Sequence, residues 1–490
     1  MEVSERDLYL VRLIRDKIDR STGLLDLSYE RLGDAGLSFL VKCKDMSRVR
    51  HLVLSWNELT CKGMEILAQG STVSNIVHLI LDANRIGDRG AIALANSTQL
   101  PNLQTLSMTS NRVGDDGALH LIKSSSLKQL NRLSFEMNRV GCNEITKFPD
   151  GAANTSLRVL NLRKNEIGDA TIAQWMQAGA FAPFKEINLG WNQIGDAGAR
   201  SLAQSPTLSN VERLFLDSNS IADEGAKAIA QSRHLKSLVD LYMRDNNFGR
   251  ASESILLDLH VRILIKDHFK NGELNLNDQV LGYKGIVALA RSERLQDVEF
   301  LQMRNTGLDH RSVSALIASP HLKNLRRLNL MSNGLRNKGA LCLAECKTLT
   351  GLKTLNLENN GVTHLGALAL SRAGMTGLEE LNLSANDIND KGVAYLSGSG
   401  DFKNLKTLKL MDTFMTDRGM VALSESNSLP GLENLFLNGN LITRRGFNAL
   451  ESKQWTGRLK TLDLRRNKLN YEDQLYLADS HYEAMDSLRF

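Results

Sequence analysis

Cys342 and Cys346 stand four residues apart in ALCLAECKTL, on one side of an expected helix, and such a pair with a third ligand can hold a metal ion. Burial as small apolar side chains is the weightier reading, and no metal is expected. His51 and His78 occupy the same place before successive strands, where two imidazoles can stack and respond to pH or bind a metal. Gly-Asp pairs recur at Gly33-Asp34, Gly87-Asp88, Gly114-Asp115, Gly168-Asp169 and Gly195-Asp196. One pair alone would suggest catalysis. Their recurrence makes them structural, with Gly relaxing a turn and Asp accepting hydrogen bonds from amides that begin a helix. No phosphate-binding loop, HExxH, GxSxG or CxxC is present, and GSGDFK at Gly398 and Gly400 lacks the third glycine of a GxGxxG. Neither an enzyme nor a cofactor follows from these residues.

Recognition is the chemistry that remains. Arg163, Glu186, Arg213, Phe215, Asp217, Asp240, Tyr242 and Arg244 fall one before, one after or three after an apolar residue that recurs along the chain. Lys164 and Trp191 lie one place beyond, at a rim. Only 5% of the chain is aromatic, which gives weight to rings gathered with arginines. Large rigid rings remove apolar area from water, and Arg makes several directed hydrogen bonds. Arg163, Trp191, Arg213, Phe215, Asp217, Tyr242 and Arg244 are the candidate partner-binding residues, against the plainer reading of ordinary variation between strands. Arg85, Arg112 and Arg139 form another row, for which pairing with Asp88 and Asp115 is favoured over a phosphate site.

What positions these residues is a repeat. LILDANRIGDRGAIALA (79–95), LNLRKNEIGDATIAQWM (160–176) and INLGWNQIGDAGARSLA (187–203) share the template LxLxxNxIGDxGAxxLA. Its opening apolar residue falls at Leu25, Leu52, Leu79, Leu106, Leu133, Leu160, Ile187, Leu214 and Leu241, each 27 after the last. After a 33-residue break it resumes at Leu274, Leu301, Leu328, Leu355, Leu381, Leu408, Leu435 and Leu462, with one 26-residue step, so nine and eight make seventeen units. Alternation in LxL specifies a strand with one buried face, and GAxxLA carries apolar residues at helical spacing. The Asn five places after the opening residue, as in Asn57, Asn192 and Asn360, predicts a ladder of amides bonding backbone groups of adjacent turns. Glu30, Gln279, Thr306 and Thr413 replace it in four units, three of them in the second block, which is expected to be the less regular.

The pattern LxLxxN followed by a helix-compatible stretch resembles the leucine-rich repeat, and the 27-residue unit with IGDxGAxxLA is similar to the ribonuclease-inhibitor-like subclass, over roughly residues 24 to 470. The resemblance implies an α/β solenoid, a horseshoe with an inner parallel β-sheet and outer helices, that binds another protein on its concave face. Ribonuclease-inhibitor-like repeats also make up the Ran GTPase-activating family, which makes GTPase activation or regulation the alternative. That family carries an acidic C-terminal extension, whereas this chain closes on EAMDSLRF.

The expected organisation is an N-terminal helical cap (1–23), repeats 1–9 (24–248), an irregular helical insertion (249–272), repeats 10–17 (273–470) and a C-terminal helical cap (471–490). VRLIRDKI (11–18) and VRILIKDHF (261–269) precede the two blocks alike, as in a duplicated module. One continuous solenoid with a local irregularity is favoured over a hinge. At the far end Leu475, Tyr482, Met485 and Leu488 keep helical spacing. The 60 basic and 55 acidic residues are spread evenly, and the inner face alternates sign (Asp82, Glu136, Asp217 and Glu358 against Arg163, Arg244, Arg304 and Arg465), which argues against nucleic acid. No apolar run nears the ~18 residues of a membrane span, and no export signal is recognised. With five sparse cysteines, a cytoplasmic monomer is expected.

Overall fold

The computed structural model describes residues 5–141, 154–451, 459–473 and 487–489. The chain divides into two compact units, Met1–Leu256 and Leu257–Phe490. Each unit holds one ten-stranded sheet with its strands in sequence order. In the first these are β1 (Ile18–Asp19), β2 (Leu24–Asp26), β3 (His51–Val53), β4 (His78–Ile80), β5 (Thr105–Ser107), β6 (Arg132–Ser134), β7 (Val159–Asn161), β8 (Glu186–Asn188), β9 (Arg213–Phe215) and β10 (Asp240–Tyr242). In the second they are β11 (Phe269–Lys270), β12 (Glu273–Asn275), β13 (Phe300–Gln302), β14 (Arg327–Asn329), β15 (Thr354–Asn356), β16 (Glu380–Asn382), β17 (Thr407–Lys409), β18 (Asn434–Phe436), β19 (Thr461–Asp463) and β20 (Ser487–Arg489).

Every pair after the first in each sheet is parallel, with recurring residue opposite recurring residue, as Leu79 opposite Leu52 and Leu328 opposite Leu301. The sheet therefore does not run through the middle of the chain; it stops at β10 and a second starts at β11. Both sheets begin the same way. Helix Glu5–Lys17 leads into β1, antiparallel to β2, and helix Arg250–His268 leads into β11, antiparallel to β12. Leu10 and Ile14 on the first helix and Val261 and Ile265 on the second are buried at the same i, i+4 spacing, covering the apolar end of each stack.

Within a unit the strand's middle residue is buried and its neighbours are half-buried, as His78, Leu79 and Ile80 show in β4. Burial follows from the twofold period of a strand. The chain then turns, and a helix of roughly two turns carries Ala and Leu back over the buried face, as Ala199 and Leu202 do in helix Asp196–Gln204.

Three hydrogen-bond ladders join successive repeats. The Asn ladder takes the expected form. Asn192 Oδ1 accepts the Ile167 amide at 3.1 Å and its Nδ2 donates to the Leu162 carbonyl at 3.0 Å, both in the preceding turn. Asn360 does the same with Leu335 and Leu330. Thr306 and Thr413 depart less than expected: both are buried, and each hydroxyl donates to the next rung, Asn333 or Asn440. The Gly-Asp carboxylates form the second ladder by capping the helix of the following repeat. Asp169 Oδ1 accepts from Gly195 at 2.7 Å and Gly198 at 2.8 Å, and Asp196 Oδ1 from Ala222 and Gly225. This ladder explains the second glycine of GDxGA: a Cβ on Gly198 would lie 2.5 Å from Asp169 Oδ1. Asp88 and Asp115 likewise hold the amides of Gly114 and Gly141. Serines form the third ladder at the helix ends, where Ser124, Ser232 and Ser319 donate to carbonyls of the previous helix.

The expected C-terminal helical cap (471–490) falls largely outside the described residues. Leu475, Tyr482 and Met485 lie outside the described residues, and Ser487–Arg489, with Leu488, form β20, which pairs parallel with β19. The ladder of the second sheet thus gains one more rung where a helix was expected.

Candidate functional site

Helices cover one face of each sheet and leave the other open. On the open face of the first sheet, four rows run across the strands: the residues one before, one after, three after and four after the buried apolar position. The fourth row lies at the strand ends, where Tyr29, Trp56, Met137, Lys164 and Trp191 all adopt left-handed backbone with φ between 54° and 64°. A non-glycine residue takes that conformation at a cost. Each of these amides is held by a carbonyl of the following repeat, as Trp191 N by Asp217 at 2.7 Å. The side chains are consequently thrown outward, and Trp191 is 52% exposed.

The structure brings the predicted residues together on this face. Phe215 and Tyr242 stack with centroids 4.6 Å apart and planes 2° from parallel, because Phe215 and Tyr242 are paired residues of β9 and β10. The Arg163 guanidinium lies 5.5 Å and the Lys164 ammonium 5.4 Å from the Trp191 ring, within cation–π reach. Two of the arginines are paired in place, and Asp217 holds a backbone amide. Arg163 meets Glu136 at 2.7 Å, Arg213 meets Glu186 at 3.0 Å, and Asp217 accepts the Arg244 amide at 2.8 Å.

A second aromatic group lies at the other end of the same face, and it was not singled out in the sequence. Tyr29 and Trp56 stack at 5.6 Å in the fourth row, beside half-buried Val53 and Ile80. Its signal was present, since Trp56 holds the same repeat position as Trp191. His51 and His78, which open the adjacent strands β3 and β4, stack at 4.4 Å. Burial, and then the nearby His51, hold His78 below the usual imidazole value of 6.5. Between the two aromatic groups small polar side chains leave a hollow of about 190 Å³, lined by Ser107, Arg132, Ser134, Asn161, Glu186 and Asn188.

The cysteine pair lies elsewhere. Cys342 Sγ faces the His310 carbonyl at 3.8 Å and Cys346 Sγ the Ile317 carbonyl at 3.6 Å, and burial pushes the Cys342 thiol up. Among the described residues, no group of three or more His, Cys, Asp or Glu is placed to hold a metal ion, and no helix is long and apolar enough to cross a membrane.

A family model described as "Leucine Rich repeat" matches residues 74–95, 99–121, 153–170, 183–203, 207–230, 321–344 and 375–397. No curated protein sequence matches the chain. Among solved structures, a leucine-rich repeat protein of Leptospira interrogans is similar at 18% identity and a TM-score of 0.28, over 98% of each chain. A structure described as a TDR receptor is similar at 17% identity and a TM-score of 0.28, over 89% of this chain and 67% of the other. With its 27-residue register, its two parallel ladders and the matched repeats, the chain is a leucine-rich repeat solenoid protein.

Proposed function

We propose that this protein is a non-catalytic scaffold that grips a partner protein on the open face of the first sheet, at Arg163, Trp191, Arg213, Phe215, Asp217, Tyr242 and Arg244. The observation that carries the reading is the Phe215–Tyr242 stack, held parallel on adjacent strands with Tyr242 40% exposed. Two rings locked by their strands lose little freedom when a partner covers them, and the apolar area they bury favours binding. Arg163, tied to Glu136 and close to Trp191, extends the patch as a fixed donor. The reading includes the ribonuclease-inhibitor-like subclass of repeat, a monomer and a cytoplasmic place of action, the last resting on sparse cysteines that are free at Cys43, Cys61, Cys342 and Cys346.

Capture of partners from native lysate by the full chain, compared with Phe215→Ala and Tyr242→Ala, tests it. Each variant is expected to weaken binding of the captured partner by about tenfold or more. Thermal unfolding should stay unchanged, because neither ring sits in the core. Undiminished capture would move the site to Tyr29 and Trp56 or off this face.

A further inference from the structure

The helices of the second unit carry a pattern that those of the first lack. Lys338, Lys391 and Arg418 stand at one place in the repeat, in the first turn of helices Arg336–Glu345, Asn389–Ser397 and Asp417–Ser424. Leu365 holds that place in helix His364–Leu370, and Arg311 and Arg445 continue the row on either side. All six are exposed, Leu365 by 56%. Three and four residues on, one turn along the same face, come Leu341 and Cys342, Leu368 and Ala369, Ala394 and Tyr395, and Val421 and Ala422, with no charge among them. Leu341, Tyr395 and Val421 are exposed, and the four helices pack in succession, so an apolar belt lies beside a basic one. None of Lys338, Lys391 and Arg418 is in an ion pair among the described residues. Asp390 and Asp417, next to two of them in the chain, turn to the amides of Thr416 and Gly419 and of Thr443. Exposed Glu345 and Glu425 lie at the C-terminal ends of their helices, about 10 Å along the axis from Lys338 and Arg418, and Asp387 stands in the loop ahead of Lys391. In the first unit Asp116 and Glu224 break the one row, and Glu65, Arg200 and Lys227 break the other.

We propose that this surface docks on an anionic lipid bilayer. Cations hold the headgroups while apolar side chains one turn away enter the boundary of the acyl chains, as on an interfacial amphipathic helix. Here four short helices present the two belts together, and the long stems of Lys and Arg let their charges stay in the headgroup layer. The unpaired cations favour a fluid partner. A rigid protein surface would freeze each long side chain in one geometry, at a cost in freedom that a donor already held in place, such as Arg163 in the first unit, does not bear. A surface whose charges move asks for less ordering. Nucleic acid is the poorer fit, since Leu365 interrupts the positive track and aliphatic Leu341, Leu365 and Val421 give bases nothing to stack on. The contact is peripheral, because among the described residues no helix is long and apolar enough to cross a membrane.

The test uses the full chain and co-sedimentation with vesicles of phosphatidylcholine, with or without about 30% phosphatidylserine. Binding is expected to the anionic vesicles alone and is expected to weaken as salt rises. The variant combining Lys338→Gln, Lys391→Gln and Arg418→Gln is expected to bind about tenfold or more weakly, since each cation near the surface is worth about fivefold. A variant combining Lys62→Gln, Arg89→Gln and Lys227→Gln removes the same charge from helices of the first unit and is expected to stay within about twofold of wild type. Leu341→Gln with Leu365→Gln is expected to weaken binding about fivefold or more. All these side chains are exposed, so unfolding midpoints are expected to stay unchanged. The proposal is overturned if the wild-type chain ignores the anionic vesicles or binds both kinds alike. It is overturned equally if the Lys338 triple variant or the leucine variant binds as tightly as wild type, or if the first-unit variant loses as much as the Lys338 triple variant. Tighter capture of polyglutamate or single-stranded RNA than of vesicles, lost in the Lys338 triple variant, overturns it too and assigns the cations to that polyanion.

Discussion

The two units share a frame and differ on the face they expose. Asn57 in the first and Asn360 in the second are both fully buried, and each reaches back 30 residues to a carbonyl of the preceding turn. One residue after the buried position, however, β9 and β10 carry Phe215 and Tyr242, whereas β14 and β15 carry Asn329 and Asn356. A side chain that bonds a neighbouring repeat cannot change without orphaning that neighbour's backbone. Phe215, Tyr242, Asn329 and Asn356 on the open face have no such obligation, although Asp217 there holds the Arg244 amide of the next repeat. The frame therefore reports the fold, and the difference between the faces is where binding specificity has room to arise.

The largest expected effect tests whether the frame is shared. Asn57→Ala removes the donor to the Leu27 carbonyl and an acceptor of the Leu32 amide, and Asn360→Ala removes the acceptor of the Leu335 and Asn333 amides while the Leu330 carbonyl keeps Asn333 Nδ2. Each orphaned buried group costs about 1–3 kcal/mol, so both variants should lose about 2–5 kcal/mol in chemical denaturation. Phe215→Ala and Asn329→Asp, on the open faces, should stay within about 0.5–1 kcal/mol of wild type. A loss in one unit several times that in the other would break the equivalence.

Next in size is the glycine that makes room for the Asp ladder. A Cβ would come within 2.5 Å of Asp169 Oδ1 at Gly198 and of Asp417 Oδ1 at Gly446. Gly198→Ala and Gly446→Ala should each cost about 1–3 kcal/mol by forcing that cap aside. Gly400→Ala, where a Cβ meets nothing within 4 Å, is the control and should be close to neutral. Equal unfolding midpoints for all three would remove the steric account of the repeat glycine.

Register, strand and Asn ladder were legible because a 27-residue period fixes which residues stack, and stacking decides which amides are buried. The recurrence of Gly-Asp marked a helix cap but not which helix, since Asp169 can reach its own helix start or the next by sequence alone; the structure selects Gly195 and Gly198. Strand parity placed Phe215, Tyr242 and Arg244 on the open face. It did not mark Tyr29 and Trp56, which lie past the ends of β2 and β3, where strand alternation no longer says which way a side chain points. The belt of Lys338, Lys391 and Arg418 was invisible for another reason: a cation in the first turn of a helix reads as an ordinary solvated face until the exposure of Leu341 and Leu365 beside it is known.

A smaller effect distinguishes the faces by pH. His78, stacked on His51, has its folded value held below 6.5, so the unfolded chain takes up the proton first. Its contribution to stability is complete above pH 6.5 and is lost as pH falls toward the folded value. Denaturation of the wild-type chain between pH 7 and 5 should show that decline, and His78→Gln should flatten it. An identical slope in both chains would detach the stacked pair from stability.

The smallest effect lies at the edge of the second sheet, two residues before the buried position. There Lys353, Glu379, Lys406, Glu433 and Lys460 alternate in sign along successive repeats, and Glu379 contacts both neighbouring lysines, with Lys406 Nζ at 2.8 Å. Hydrogen bonds from Lys353 and Lys406 lower the Glu379 carboxyl from 4.5 to about 2. A depressed carboxylate stabilises the fold above its unfolded value, and that contribution disappears as pH falls toward about 2. Because the group is exposed, salt should weaken the effect. Carbon NMR of the Glu379 carboxyl should titrate well below the ordinary range at low ionic strength. Lys353→Met with Lys406→Met should return it to that range. A midpoint that stays low in the double variant would mean that the lysines do not set it, and the alternating edge would then be a crowd of charges rather than a ladder.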